Sequence, residues 1–294
     1  MKKKLLAVVL IAMVASFTGN GTIGFGAAYA TSLRMGGSTT LLPLMADIAS
    51  QFMDTYGTWD KVNPNLPNER ILIYVTGGGS GFGISGAMGG TFDIGLSSRP
   101  LRETEEQALG EHRQFLISQD CLAFASHINS PLSQATDNIT KDMAARIVSG
   151  EAETWRDVRS DLPATPIVFI MRDAASGSSE MVKQMVLGDR GFSTRGIQVP
   201  SQGANLRRLE GNVNSFGYLS SVIAENSDQL KVFKLEGVAP THENILSGAY
   251  AISRPLILIV KGQLSPMVET FVDFVYSETG RTIIEEYGYV PVGR

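Results

Sequence analysis

Residues 167–179 read Ile-Val-Phe-Ile-Met-Arg-Asp-Ala-Ala-Ser-Gly-Ser-Ser, so a run of apolar, β-favouring residues comes directly before a serine- and glycine-rich loop. A short apolar run bounded by a turn signal is typical of a buried strand, and serine before a helical pattern is typical of a helix start. Strands that give way to helices in this manner are the repeating units of α/β proteins. This segment therefore predicts the fold class.

The same alternation recurs along the chain, so we predict an α/β fold throughout. The clearest helix follows Ser38, because apolar residues return there at spacings of three and four and so share one buried face. These residues are Leu41, Met45, Ile48, Phe52 and Tyr56. Strands are predicted at Leu33–Met35, Ile71–Val75, Ile94–Gly95, Leu122–Ser126, Ile167–Arg172, Gly217–Leu219 and Leu256–Lys261. Helices are predicted to begin after Ser38, around Phe82, at Pro100, at Thr140, at Ser178 and at Ser265. Residues 56–70 are rich in turn-forming residues and predict an exposed loop.

Four short segments share a composition of glycine, serine and threonine, and each lies where a predicted strand gives way to a helix. The first turn of a helix carries unpaired backbone N–H groups and a partial positive charge. Glycine lets the backbone approach a bound group closely, and hydroxyl groups donate hydrogen bonds to oxygen anions. The segments therefore predict a site for phosphate, sulfate or carboxylate. They are residues 36–40, 77–83, 95–100 and 172–179.

The fourth segment begins with Arg172, whose planar guanidinium is a fork of donors suited to a tetrahedral oxyanion. Each segment also has a simpler interpretation, because serine and threonine are ordinary helix caps and glycine is an ordinary turn residue. Four such segments in one chain, one of them with an arginine, favour an anion site over four unrelated caps.

Signals for catalysis and for cofactor binding are weak. The glycine run at 77–83 lacks the lysine of a P-loop, and residues 81–86 match the dinucleotide-binding pattern by letter only. The sequence contains no nucleophile elbow, and His112, His127 and His242 stand at no metal-ligand spacing. We therefore predict no catalytic residues, no metal and no cofactor.

The first 30 residues predict a signal peptide. Three lysines follow Met1, an apolar run comes next, and a stretch of small residues ends in Ala28-Tyr29-Ala30. This order is typical of a cleaved secretory signal, whereas a membrane-spanning helix needs about 20 apolar residues. We predict export to the periplasm, or release from the cell.

Length, charge and cysteine content narrow the class of protein. The only cysteine, Cys121, lies in an apolar run and is predicted to be a core residue. A chain of 294 residues is expected to form two domains, and residues 117–126 and 250–261 are candidate linking strands. The formal net charge of −4 argues against a nucleic-acid partner, so any anion must be held by local donors.

Taken in order, these segments resemble the phosphate-binding protein of the bacterial ABC-type phosphate importer. The resemblance covers nearly the whole chain after residue 30, and the order of its short motifs is more specific than any single motif. It implies the two-lobed periplasmic-binding-protein fold, with two linking hinge strands and the ligand in the cleft between the lobes. The motifs are Gly37-Ser38-Thr39-Thr40, Asp93-Ile94-Gly95-Leu96-Ser97-Ser98-Arg99, the Arg172…Ser176-Gly177-Ser178 loop, Phe216-Gly217-Tyr218-Leu219, Tyr250-Ala251-Ile252-Ser253-Arg254-Pro255-Leu256 and Tyr287-Gly288-Tyr289-Val290-Pro291.

The resemblance also implies which residues bind phosphate, with Arg172 as the charged donor. At the position of Ser98, many members of that family carry an aspartate that accepts a hydrogen bond from protonated phosphate and whose negative charge repels fully ionised sulfate. Ser98 can accept such a bond but has no charge to repel sulfate. Asp173 and Glu180 are candidate substitute acceptors. The implied phosphate-binding residues are Ser38, Thr39, Ser80, Gly81, Ser98, Arg172, Ser176, Gly177 and Ser178.

We therefore predict a non-enzymatic, monomeric protein that binds inorganic phosphate with high affinity and delivers it to the membrane subunits of an ABC phosphate permease. The predicted lobes are residues 31–118 together with 248–294, and residues 119–247. The alternatives are the same scaffold binding another oxyanion such as sulfate or molybdate, an exported phosphate-ester hydrolase, and a secreted scavenging or adhesion protein without a permease.

Overall fold

The computed structural model describes residues 32–294, and the predicted signal peptide at residues 1–30 lies outside them. Within the described residues, short strands alternate with helices. The strands are β1 Ser32–Gly37, β2 Leu72–Gly77, β3 Ile94–Ser97, β4 His112–His127, β5 Asn138–Ile139, β6 Val168–Arg172, β7 Ile197–Val199, β8 Ser215–Ser220, β9 Leu230–Val232, β10 Lys234–Leu235, β11 Ser253–Lys261 and β12 Val290–Pro291. The helices are α1 Leu42–Tyr56, α2 Trp59–Val62, α3 Ser80–Met88, α4 Glu103–Leu109, α5 Pro131–Ala135, α6 Lys141–Ser149, α7 Trp155–Val158, α8 Gly177–Val182, α9 Gln202–Glu210, α10 Ser221–Glu225, α11 His242–Leu246, α12 Pro266–Tyr276 and α13 Glu278–Glu286. Helix α8 continues directly into a π-helical turn at Lys183–Leu187.

Most of the strands form one continuous, curled sheet. Its order is β2-β1-β3-β11-β4-β8-β6-β7, and β9 and β12 also pair with β4. Strand β1 runs parallel to β2 and β3, and β6 runs parallel to β7 and β8. In the middle, β4 pairs antiparallel with both β11 and β8. The sheet therefore has two parallel parts that are joined through antiparallel strands.

Strand β4 is 16 residues long and belongs to both parts of the sheet. Its first half pairs with β11, and its second half pairs with β8. In the pairing with β11, Asp120 lies opposite Arg254. The chain therefore passes between the two parts of the sheet along β4 and β11. Strand β4 contains the candidate linking strand 117–126, and β11 contains the candidate 250–261 from Ser253 onward.

Two large hydrophobic cores lie inside the molecule, one for each part of the sheet. The first core uses the beginning and the end of the described chain, and the ring of Phe52 on α1 lies 5.4 Å from Phe271 on α12. In the second core Phe124 stacks on Phe216 at 5.6 Å. Along β4, Ile117 packs in the first core and Phe124 in the second. The molecule is therefore two-lobed, and we call the lobe around the first core the first lobe and the other the second lobe.

The structure confirms the strands that the sequence predicts, and the ends of five of them agree to within about two residues. The other two are longer than predicted, because β4 begins at His112 rather than Leu122 and β11 begins at Ser253 rather than Leu256. The helix after Ser38 begins at Leu42, and its predicted apolar face is buried in the first core. The helix predicted at Pro100 begins at Glu103 instead, because Arg102 caps it and its amide donates to the Glu105 carboxylate at 2.9 Å.

The prediction of an exposed loop at residues 56–70 is wrong in part. Residues Trp59–Val62 form the short helix α2, and the Trp59 side chain is fully buried. Its indole ring lies 5.9 Å from the ring of Phe52 in the first core. One helical turn is too short to show a periodic pattern, so burial of a single large aromatic side chain decides this structure.

Cys121 is fully buried, as predicted, and packs in the second core. Burial raises the pKa of its thiol, so the group stays neutral. Among residues 32–294, no helix combines the length and the apolar character that crossing a bilayer requires.

Candidate functional site

The four glycine- and serine-rich segments meet between the two lobes, beyond the carboxyl ends of β1, β2, β3 and β6. They surround a small space between the lobes, which we call the interlobe cavity. It is lined by Ser38, Thr39, Thr40, Gly79, Ser80, Ser98, Arg172, Ser176, Gly177 and Ser178.

The structure brings the predicted site residues together in this lining, except for Gly81. The amide of Gly81 donates to the carbonyl oxygen of Ala175 in the opposite lobe at 3.1 Å. This hydrogen bond connects segment 77–83 to segment 172–179. Thr40 and Gly79 also line the cavity; both lie in the segments that predict an anion site, but neither was among the implied phosphate-binding residues. Gly79 has a φ of +89°, and a Cβ there would lie 2.6 Å from the Ala175 carbonyl oxygen, so this close approach requires glycine.

Backbone contacts place Ser38 at the cavity. Its amide donates to the carbonyl oxygen of Leu96 on β3 at 2.9 Å, which fixes the chain as it leaves β1. The Ser38 hydroxyl oxygen accepts from the amides of Thr40 and Leu41 at 3.3 and 3.5 Å. Ser38 therefore caps the turn before α1, and its oxygen accepts only from backbone N–H groups.

Arg172 crosses from the second lobe to the first. Its side chain is 2% exposed and stands at the end of β6. Its Nη1 donates to Thr39 Oγ1 at 2.9 Å, while Nε and Nη2 donate to the carbonyl oxygens of Val199 and Pro200 at 3.1 and 3.0 Å. Burial lowers the pKa of Arg172, but a guanidinium stays protonated in proteins. A buried cation therefore lies in the wall of the cavity.

Two side chains hold the backbone of Arg172 in place. The Ser179 hydroxyl donates to the Arg172 carbonyl at 2.8 Å, and the Arg172 amide donates to the Tyr218 hydroxyl oxygen at 3.4 Å. Burial raises the pKa of Tyr218 to about 12, so the phenol stays neutral. The guanidinium is thus positioned by β6, α8 and β8 together.

A second buried arginine, Arg254, reaches the lining and was missed as a site residue. It lies on β11, and its Nη2 is 2.6 Å from Asp120 Oδ2 on β4, with both side chains fully buried. Its Nη1 donates to Ser178 Oγ at 2.7 Å, and its Nη2 donates to Thr40 Oγ1 at 3.1 Å. Because Thr40 belongs to the first lobe and Ser178 to the second, Arg254 contacts both walls of the cavity.

Gln202, the first residue of α9, was also missed. It is buried, and its Nε2 donates to Ser178 Oγ at 3.0 Å and to Thr40 Oγ1 at 3.4 Å. Its amide donates to Thr39 Oγ1 at 3.3 Å. Ser201 caps α9, but the helix is too polar to show a strong periodic pattern, so the sequence offered only the capping signal.

The acceptors for a protonated ligand at this part of the cavity are the hydroxyls of Ser80 and Ser98 and not a carboxylate. Ser98 Oγ lies 3.2 Å from Ser80 Oγ, and the Ser98 amide donates to Ser80 Oγ at 3.0 Å. Among residues 32–294, no carboxylate belongs to the lining, and no group of three or more acidic, histidine or cysteine side chains could hold a metal ion. Asp173 accepts from the Ala175 amide at 2.9 Å, as a turn residue does, and its Oδ2 also accepts from Nη2 of Arg172 at 3.4 Å.

Glu180 makes ion pairs across the cleft. Its carboxylate lies 2.7 Å from Nε of Arg99 and 2.7 Å from Nε of Arg102, and both arginines belong to the first lobe. Arg99 also pairs with Glu105 at 2.7 Å. Glu180 is therefore engaged outside the lining and holds the lobes together beside the cavity.

A two-lobed α/β protein with a small, hydroxyl-lined cavity between its lobes belongs to the class of periplasmic binding proteins. Residues 26–279 match the PBP superfamily domain. The chain is 31% identical to the phosphate-binding protein PstS of Borreliella burgdorferi, over 88% of this chain and 90% of that protein. It therefore belongs to the family of phosphate-binding proteins of ABC-type phosphate importers.

Solved structures agree with this assignment. A Clostridium perfringens protein whose crystal structure carries bound phosphate is 27% identical, with a TM-score of 0.76 over 89% of this chain and 99% of that one. The crystal structure of PstS from Borrelia burgdorferi is 29% identical, with a TM-score of 0.57 over 90% of this chain and 100% of that one.

Proposed function

We propose that this protein binds inorganic phosphate in the interlobe cavity and delivers it to the permease of an ABC-type phosphate importer. The observation that carries the proposal is the buried guanidinium of Arg172, which stands among converging hydroxyl groups from both lobes. A buried cation with many neutral donors suits a small, multiply charged oxyanion. The family to which the chain belongs supports phosphate as that anion.

The proposed ligands are hydroxyl and backbone donors at the helix starts, with Arg172 as the charged donor. Thr40 joins the residues expected from the sequence because it lies in the same lining. Gly81 acts through its contact with Ala175, by joining the two loops. The proposed phosphate-binding residues are Ser38, Thr39, Thr40, Ser80, Ser98, Arg172, Ser176, Gly177 and Ser178.

Hinge motion along β4 and β11 would open and close the cavity. We assign residues 31–118 with 248–294 to the first lobe and 119–247 to the second. The separation of the two cores supports this division, although Tyr250 and Ile252 pack in the second core. The crossing along the second linking strand is therefore expected close to Ser253.

We also propose that residues 1–30 direct export and are removed. Mass spectrometry of the protein recovered from the periplasm should give a mature N-terminus at Thr31. A periplasmic protein that retains Met1 would contradict the proposed cleavage.

Calorimetry on refolded, phosphate-free protein tests the binding function. Inorganic phosphate should bind one-to-one, and arsenate should compete for the same site because it has the same shape and charge. Absence of phosphate binding would overturn the proposal. A chromogenic phosphate ester incubated with the same protein should show no turnover; turnover abolished by Ser38→Ala or Ser176→Ala would support the hydrolase instead.

A further inference from the structure

We infer that the ion pair of Arg254 and Asp120 makes the interlobe cavity selective for doubly ionised tetrahedral oxyanions, because Arg254 fills acceptor positions on the lining hydroxyls and turns their protons toward the ligand. The inference rests on the proposed function and defines which form of the ligand the site takes. It also predicts that sulfate, which is doubly ionised at every pH near neutrality, competes with phosphate.

Two of the hydroxyls that touch Arg254, those of Thr40 and Ser178, have no acceptor position left. A serine or threonine hydroxyl has one proton to donate and two lone pairs that accept. Thr40 Oγ1 accepts from Arg254 and from Gln202 at 3.1 and 3.4 Å. Ser178 Oγ accepts from the same two side chains at 2.7 and 3.0 Å. Both hydroxyls can therefore only donate to a ligand.

Two further hydroxyls are saturated in the same way. Thr39 Oγ1 accepts from Arg172 and from the Gln202 amide at 2.9 and 3.3 Å. Ser38 Oγ accepts from two backbone amides at 3.3 and 3.5 Å. Within the described part of the chain, none of these four hydroxyls donates to a protein acceptor, so their protons are available to an anion in the cavity.

The acceptors that remain are the neutral hydroxyls of Ser80, Ser98 and Ser176, each of which can rotate to donate instead of accept. Ser98 Oγ accepts from Arg254 at 3.4 Å, and Ser80 Oγ accepts from the Ser98 amide at 3.0 Å. Since the two oxygens are 3.2 Å apart, one hydroxyl donates to the other, which leaves the pair one proton and one lone pair for a ligand. Ser176 Oγ, which accepts from the Ser178 amide at 3.2 Å, also keeps one of each.

This arrangement decides how the site treats protonated and fully ionised ligands. A site rejects a ligand strongly when the ligand leaves a buried group without its partner. Here a hydroxyl can rotate from accepting to donating, so an anion without a proton leaves no obligatory acceptor unpaired. The only carboxylate that contacts Arg254 is Asp120, whose oxygens accept from Arg254 and from Ser220, so its charge compensates the arginine from behind the lining.

Monoanionic phosphate fits less well than the dianion. It brings two protons, which would have to use both remaining acceptors at once, that of the Ser80–Ser98 pair and that of Ser176, and it carries one charge fewer toward Arg172. The dianion brings one proton, which the Ser80–Ser98 pair can accept. Its oxygens accept hydrogen bonds from the four saturated hydroxyls. Sulfate receives the same donors, together with the remaining proton of the Ser80–Ser98 pair.

Calorimetry on the phosphate-free wild type, at one pH below and one pH above the second pKa of phosphate, tests the inference. Phosphate affinity should rise with the dianion fraction, by about tenfold over two pH units centred on that pKa. Sulfate should displace phosphate with an affinity within about 100-fold of the dianion and unchanged by pH. Phosphate affinity that is level or falls with pH, or sulfate that fails to compete at a thousandfold excess, would overturn the inference. Failure of the proposed function is a different result, in which phosphate binds at neither pH.

The variant Arg254→Lys separates the role of the guanidinium fork from its charge. An ammonium group has three donors and must also pair with Asp120, so it cannot donate to Ser178, Thr40 and Ser98 together. The acceptor that becomes free should improve binding of monoanionic phosphate relative to the dianion. The rise of affinity with pH should shrink, and sulfate should compete less well. Arg34→Lys, at a strand arginine paired with Asp93 outside the cavity, should keep the wild-type profile. An unchanged profile in folded Arg254→Lys would contradict the role of Arg254, and the wild-type titration decides the inference if that variant does not fold.

Discussion

Arg172 and Thr39 stand on opposite lobes, and Nη1 of the arginine donates to Oγ1 of the threonine at 2.9 Å. This contact fixes the relative position of the two lobes at the cavity itself. It also places the cationic group beside the hydroxyls of both lobes, so closure and anion recognition use the same atoms. Loss of either partner should therefore affect ligand binding more than folding.

Replacing Arg172 by alanine should weaken phosphate binding by at least about 30-fold. The loss of one partner from a buried, charged contact costs roughly 2–5 kcal/mol, and each 1.4 kcal/mol corresponds to a factor of ten. Calorimetry measures the change. The matched control is Arg208→Ala at an exposed arginine of α9, which should bind as the wild type does. Wild-type affinity in Arg172→Ala would show that the anion binds elsewhere.

Replacing Glu180 by glutamine should shorten the lifetime of the complex. The change removes a charge that pairs with Arg99 and Arg102 across the cleft, and breaking such a contact acts mainly on the dissociation rate. We expect dissociation to be about tenfold faster, measured by stopped-flow fluorescence. Glu103→Gln, at an exposed glutamate of α4, is the control. An unchanged rate would mean that these pairs do not hold the lobes closed.

Replacing Gly177 by alanine should impair closure without unfolding the protein. A Cβ at Gly177 would lie 2.6 Å from Ser80 Oγ, which belongs to the opposite lobe. Forcing an extra carbon into a packed site costs about 1–3 kcal/mol, and here the cost falls on the closed state. Phosphate affinity should therefore decrease while the Tm of the phosphate-free protein stays near that of the wild type. Gly203→Ala, whose Cβ would meet nothing closer than 3.6 Å, should leave both unchanged. A large decrease in Tm for Gly177→Ala would contradict a closure effect.

Glu105 should make stability depend on pH. Burial alone would raise the pKa of its carboxyl group, but the hydrogen bonds from the Arg99 side chain and the Arg102 amide lower it below the ordinary value. A carboxyl whose pKa is lower in the folded state stabilises the fold above its unfolded pKa, and this stabilisation is lost as the pH falls through the folded pKa. Glu105→Gln should therefore lower the Tm at neutral pH, and the difference from the wild type should vanish in acid. Glu286→Gln, at an exposed position, should show no such difference. A Tm difference that is constant from neutral to acidic pH would contradict the assignment.

Strands and long helices could be predicted because their patterns are local. The spacing of Leu41, Met45, Ile48 and Phe52 predicts the buried face of α1, and all four residues are buried in the structure. The two-residue strands β5 and β10 are too short to carry a period of two, so they depend on pairing with each other. The burial of Trp59 likewise depends on a neighbour in space, since its contact with Phe52 comes from the packing of the first core.

The site could be predicted where it consists of helix starts and could not be predicted where it depends on sheet register. Ser38, Ser80 and Ser176 lie in segments at helix starts whose composition already indicates an anion site. Arg254 follows Ser253 in a strand, where a charged residue is usually expected to face solvent. Only the register that places it opposite Asp120 shows that the guanidinium is compensated and can stay buried at the cavity.

The measurement that most directly tests binding in the interlobe cavity is a crystal structure with arsenate, with data collected at the arsenic absorption edge. Arsenic has a strong anomalous signal there, so the position of the anion is found without reference to the protein. We predict a single peak between the two lobes, within hydrogen-bonding reach of Arg172, Ser38 and Ser178. A peak elsewhere on the protein, with none between the lobes, would contradict this prediction.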